Sequence, residues 1–145
     1  MIPVMSNSWI FWSLLSAVFA GATAVLAKVG VAGVDSNLAT AIRTTVILCF
    51  AWAIAFVTAR PAALATLTGR TWLFLALSGI ATGLSWLCYF RALQLGQASQ
   101  VAPVDKLSVV FVLLFAALFL HEPLSLKSGL GGLLIVAGAL VLAWK

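Results

Sequence analysis

The chain has 145 residues, of which 64% are apolar and only 8% charged, where an ordinary soluble domain carries roughly 25% charged side chains. Eight basic and three acidic residues cannot clothe a soluble fold of this size, and a mean hydropathy of +1.21 excludes a disordered chain, a secreted disulfide scaffold and a cytosolic enzyme. What remains is an all-α membrane protein that crosses the bilayer several times. The net charge of +5 comes from basic residues scattered singly, so no basic track follows a phosphate backbone and no nucleic-acid partner is expected.

The opening residues, MIPVMSNS, contain no Lys or Arg, so a cleavable signal is not expected and the first apolar segment stays in the mature protein. A helix crossing about 30 Å of hydrocarbon needs roughly 20 apolar residues, and residues 9–29, 71–93 and 128–144 supply such runs directly. Residues 36–59 form a second span only by enclosing Arg43, which leaves 44–59 uncharged. Residues 98–120 form a fourth by enclosing Asp105 and Lys106. Both segments are apolar all round, which favours spans over interfacial helices. The turns between them carry Gly30, Gly33 and Asp35, then Arg60-Pro61 and Gly69-Arg70, then Gly96, then His121-Glu122-Pro123. The expectation is one domain over 1–145, five transmembrane helices joined by short turns.

Five spans put the two ends of the chain on opposite sides, and the loop charges then bear on orientation. Arg60, Arg70 and Lys127 fall on one side, and Lys28, Arg91 and Lys145 on the other. That balance gives the insertion machinery little to choose with, and insertion in both orientations is expected.

Helical spacing draws polar stripes on two spans. Ser13, Ser16, Ala20, Thr23 and Ala27 share a face of the first, and Ser78, Thr82, Ser85 and Tyr89 a face of the third. Close packing through small residues explains such stripes. Trp12 and Trp86 beside them favour a polar cavity with aromatic walls. The last span is rich in glycine, and Ser128 with Gly132 makes a pair that permits close approach to a helix of this chain or of a second copy. Cys49 and Cys88 lie in apolar runs and read as small packing residues.

Arg43, Lys106 and Asp105 lie inside spans, Arg43 and Lys106 about 10 Å from a helix start at 1.5 Å per residue. The two bases could snorkel to the interface. The acid has a shorter stem and should pair with Lys28, Arg43, Arg91 or Lys106 from a facing helix; adjacent Asp105 and Lys106 point about 100° apart on a helix and are not expected to pair with each other. Pro103 removes a backbone hydrogen bond one turn inside the same span and is placed to break it. With more cations than acids in one half of the membrane, the field favours an anionic or zwitterionic solute. His121 stands alone with no thiolate near, so no metal or cofactor is expected. Gly83-Leu-Ser85-Trp86 lacks the base that a serine nucleophile needs, and no enzyme is expected.

Taken in order, Tyr89 through Arg91-Ala-Leu-Gln-Leu-Gly96, then Ala102-Pro-Val-Asp-Lys-Leu-Ser-Val-Val110, His121-Glu-Pro-Leu-Ser125 and Gly131-Gly-Leu-Leu-Ile-Val-Ala-Gly138, resemble the EamA-type unit of the drug/metabolite transporter superfamily. The likeness spans the whole chain. It implies a secondary transporter for a small polar metabolite in a bacterial inner membrane. Most members resemble two such units in ten spans and this sequence holds one, so the resemblance implies a half-transporter in an inverted-repeat architecture. With the balanced loop charge it points to an antiparallel homodimer working by alternating access. The expected solute contacts are Arg43, Lys106, Asp105, Trp12, Ser16, Thr23, Ser85, Trp86, Tyr89 and Arg91. The small multidrug-resistance members of the superfamily carry a glutamate in the first span. No acid occurs over residues 1–34 here, which leaves Asp105 as the one carboxylate placed to substitute. The other expectations are a subunit of a heteromeric lipid-linked sugar flippase and a non-transporting assembly or regulatory protein.

Overall fold

The computed structural model describes residues 8–59 and 61–144. Residues 1–7, Arg60 and Lys145, used above for the signal and the loop charges, lie outside them. Five stretches are helical, long and apolar enough to cross a membrane: Trp9–Gly30, Ser36–Thr58, Gly69–Leu95, Ala98–Phe119 and Leu126–Ala143. They comprise α1 (Ser8–Gly30), α2 (Ser36–Thr58), α3 (Gly69–Leu95), α4 (Ala98–Asp105), α5 (Ser108–Phe119) and α6 (Leu126–Ala143). The protein is therefore an all-α, five-span membrane protein.

Local chemistry sets the helix ends. Gly33, at φ +75°, turns the chain after α1. Asp35 then caps α2, its Oδ1 accepting the amides of Asn37 at 2.9 Å and Leu38 at 3.0 Å. A short 3₁₀ helix over Pro61–Thr66 precedes α3. Thr68 Oγ1 accepts the Thr71 amide at 3.2 Å, and α3 starts at Gly69, slightly before the expected 71. Ser125 caps α6 in the same way, accepting the Ser128 amide at 3.0 Å. The end of α5 is closed by the Ala116 carbonyl, which accepts from both Leu120 and Glu122. That double bond needs a left-handed residue between them, and His121 supplies it at φ 55°.

The fourth span is continuous in hydropathy but is two helices. The interruption anticipated at Pro103 falls just after it. The Lys106 amide is shared between the carbonyls of Ala102 at 3.3 Å and Pro103 at 3.1 Å, and Leu107 donates to Val104 at 3.0 Å. Val109 and Val110 then donate to Lys106 and Leu107. All but the bond to Ala102 run to the third residue back, so the chain tightens into a turn between Asp105 and Ser108 before α-helical bonding resumes.

The chain divides into two compact units, one containing α1, α4, α5 and α6 and the other spanning Gly30–Leu95 with α2 and α3. In the first, α6 packs on α4 and α5. Its buried residues are Gly132 and Ala139, two turns apart on one face. A β-carbon on Gly132 would stand 3.3 Å from Leu113 Cδ1. The close approach left open between two partners is thus made, at Gly132, to α5 of the same chain. In the second unit α2 packs on α3.

Most large apolar side chains are exposed, and the buried residues are mainly small, with Ala24, Ala27, Ser36, Thr40 and Ala139 beside the bulkier Val31, Phe90 and Leu93. Lipid tails are as apolar as leucine, so helices in a bilayer gain by bringing small residues together and leave bulky ones outward. Cys49 and Cys88 are exposed as well. They do not fill packing positions as expected, because their apolar surroundings in sequence become an outward face once the helices associate.

Candidate functional site

Arg43 lies about 10 Å into α2 at 1.5 Å per residue. Its guanidinium does not extend to the interface alone. It sits 4.4 Å from the ring centroid of Trp86 and 5.4 Å from that of Phe90, both on α3. Among the described residues no carboxylate pairs with it. A cation–π contact uses none of the guanidinium's N–H donors, through which arginine takes a carboxylate or phosphate by two parallel bonds. Spacing along α3 makes this arrangement, since positions 86 and 90 are one turn apart and 89 lies beside them.

The remaining stripe on α3 is open. Ser78, Thr82 and Ser85 are exposed and Tyr89 is half-buried, while the Thr82 hydroxyl is satisfied by the Ser78 carbonyl at 2.9 Å. On α1, Trp12, Ser13, Ser16 and Ala20 are exposed, Thr23 is half-buried and Ala27 buried. Arg91 is exposed and donates to Gln94 Oε1 at 3.0 Å. Gln94 in turn donates to the Val34 carbonyl, so this pair ties the end of α3 to the turn before α2.

Asp105 and Lys106 differ from expectation. Lys106 Nζ lies 3.6 Å from Asp105 Oδ2. The argument that neighbours on a helix point about 100° apart required a continuous helix, and the turn after Asp105 removes that condition. Lys28, another expected partner, donates to the Gly96 carbonyl at 2.7 Å.

A feature overlooked in the sequence is a groove of about 410 Å³ between α2 and α3, lined by Asn37, Thr40, Ala41, Thr44, Thr45, Leu48, Gly83 and Leu87. Its threonines donate to carbonyls of their own helix, Thr40 to Ser36 and Thr44 to Thr40 at 2.8 Å and Thr45 to Ala41 at 3.1 Å. The spacing of 37, 40, 41, 44, 45 and 48 was a readable signal, since these positions share a face. It is the same pattern as the stripes that were recognised on α1 and α3.

A protein of Sinorhizobium sp., described as an uncharacterized transporter in the cobO 3' region, is 60% identical over 139 residues, which cover 96% of this chain and 99% of that one. The probable 4-amino-4-deoxy-L-arabinose-phosphoundecaprenol flippase subunit ArnE of Enterobacter sp. (strain 638) is 37% identical over 73 residues, 50% of this chain and 68% of its own length. No solved structure matches the chain. The profile of the EamA-like transporter family matches residues 7–144. Five bilayer-length helices and this match over nearly the whole sequence give one conclusion: the chain belongs to the EamA-like transporter family and is an integral membrane transporter.

Proposed function

We propose that this transporter moves a small polar anion or zwitterion, with Arg43 holding the negative group of the solute. The observation that carries this is the guanidinium 4.4 Å from the Trp86 ring centroid, paired with no carboxylate among the described residues. A cation at that depth is costly in hydrocarbon and is tolerated where it serves a pathway. Trp12, Ser16, Thr23, Ser85, Trp86 and Tyr89 are proposed as lining, and Lys106, Asp105 and Arg91 as the further charged groups met by the solute.

The working assembly in this reading is an antiparallel, dual-topology homodimer operating by alternating access in a bacterial inner membrane. Its supports are the equal numbers of basic residues in the two sets of loops and the inverted repeats from which many carriers are built. No cofactor takes part. The test is solute uptake into sealed vesicles containing only this protein. Arg43→Gln should abolish uptake while membrane insertion and dimerisation persist. Wild-type uptake in that variant would reduce Arg43 to a helix-end anchor and end the proposal.

A second reading has its own support in the likeness to ArnE over 73 residues. In it the chain is one subunit of a heteromeric flippase for a lipid-linked sugar, and Arg43 meets a phosphate. Copurification of a different small membrane protein, with no uptake by this chain alone, would favour it.

A further inference from the structure

We infer that the groove between α2 and α3 is a lipid site: it holds one acyl chain of a zwitterionic phospholipid from the adjoining leaflet. The inference does not depend on which solute is carried.

The groove has the length of one leaflet. Its wall on α2 runs from Asn37, in the first turn, to Leu48, about 16 Å along the axis at 1.5 Å per residue. The hydrocarbon of a bilayer is about 30 Å thick, so a groove that begins at the helix start ends near the midplane, where a lipid tail also ends. Thr44, Thr45 and Leu48 are exposed, and the groove is open along its side.

Its width is that of a single chain. A volume of about 410 Å³ over that length gives a mean cross-section of about 25 Å². An extended hydrocarbon is roughly 5 Å across when carbons keep a contact distance of about 3.5–4.0 Å, and it fills about 20 Å². A helix with its side chains is about 10–12 Å across and needs about 80 Å² or more. A second copy would therefore seat no more than one row of side chains there.

The lining suits hydrocarbon and not a polar solute. The hydroxyls of Thr40, Thr44 and Thr45 already donate to carbonyls of α2, so an acyl chain lying against them leaves no donor unpaired. Below Asn37 the walls offer no side-chain donor that is not already bonded, and trapped water needs about two to four polar partners.

Charge at the mouth selects the headgroup. Asp35 Oδ1 accepts the Asn37 amide at 2.9 Å, which fixes a carboxylate at that end. Arg91 lies toward the same end, since its partner Gln94 donates to the Val34 carbonyl. One acid and one base complement the ammonium and phosphate of a zwitterionic headgroup. An anionic lipid has no cation to answer Asp35.

The test is mass spectrometry of the whole protein released from vesicles of phosphatidylethanolamine and phosphatidylglycerol in equal amounts. The wild type should retain one phosphatidylethanolamine per chain. A β-carbon at Gly83 meets nothing within 4 Å, so Gly83→Leu keeps the fold and fills the groove, and its retention should fall by about tenfold or more. Leu48→Trp, at the deep end, should lower retention independently. Gly21→Leu, at an exposed position on α1 that also has nothing within 4 Å, should retain lipid as the wild type does. A wild type without bound lipid, or equal retention in the wild type and both groove variants, would overturn the site. Equal retention of phosphatidylglycerol would overturn the choice of a zwitterionic lipid. A lipid-free wild-type dimer that Gly83→Leu splits into monomers would give the groove to a second copy, and displacement of the phospholipid by added polyprenyl phosphate would give it to a lipid-linked solute; either would overturn the inference.

Discussion

Arg43 reaches from α2 to place its guanidinium 4.4 Å from the ring centroid of Trp86 on α3. In the reading proposed here the contact serves packing and recognition together, because a planar guanidinium against a ring keeps its forked donors for a solute. Lysine retains the charge and loses the plane. Uptake by Arg43→Lys should therefore fall by about tenfold or more, equivalent to about 1.4 kcal/mol of lost recognition. Trp86→Phe should fall less than Trp86→Leu, since a smaller ring still offers a face. Equal rates for the lysine variant and the wild type would show that charge alone matters.

The open stripes make a second prediction. Single cysteines at Ser16, Thr23, Ser85 and Tyr89 should react with a membrane-impermeant thiol reagent, and a cysteine at outward-facing Leu114 should not. Native Cys49 and Cys88 are exposed and must first be replaced by alanine. Equal protection at both sets would assign the stripes to helix packing.

Orientation is tested by a reporter fused after Lys145. The unmodified protein should place it on both sides of the membrane, and three added lysines at either end should drive it to one side. One fixed orientation in the unmodified protein would remove the antiparallel homodimer.

At Gly132 the structure predicts a graded response. Alanine brings its β-carbon to 3.3 Å from Leu113 Cδ1, a tight contact that a flexible side-chain end can yield to. Leucine has no room. Gly132→Leu should lose about 1–3 kcal/mol through overpacking, read as a lower midpoint of thermal unfolding in detergent, and Leu113→Ala in the same chain should restore part of it. Full stability in Gly132→Leu would contradict the α5–α6 packing.

His121 occupies a left-handed backbone position at φ 55°, where a β-carbon is unfavourable and glycine is at ease. His121→Gly should raise stability by about 1 kcal/mol with uptake unchanged. A loss of uptake would give the imidazole a role that its turn geometry does not.

Much of the fold was legible because hydrocarbon thickness imposes a length that hydropathy reports directly. The turn holding Gly33 and Asp35 was legible too, since both act locally, although the capping bonds of Asp35 and Ser125 were not read from the sequence. The charged pair was not. The angle between Asp105 and Lys106 follows from helix continuity, and Pro103 announced a break without fixing where the hydrogen bonds would shift. Arg43 and Trp86 were each named as solute contacts, but a stacking partner on another helix depends on how α2 and α3 are rotated about their axes. The groove on α2 has the same periodicity as the stripes, but its walls at Gly83 and Leu87 belong to α3, so its existence depends on how the two helices pack.

The threonines of α2 have one more consequence. Thr40, Thr44, Thr45 and, near the far end, Thr58 all donate their hydroxyl protons to carbonyls of their own helix. Such a helix carries polar groups through hydrocarbon without requiring a neighbour to satisfy them. Sliding or turning α2 against whatever lies in its groove would break none of these bonds. Resistance to such movement falls instead on side-chain fit and on Arg43, whose guanidinium lies 4.4 Å from the Trp86 ring centroid and 5.4 Å from that of Phe90 on the facing helix.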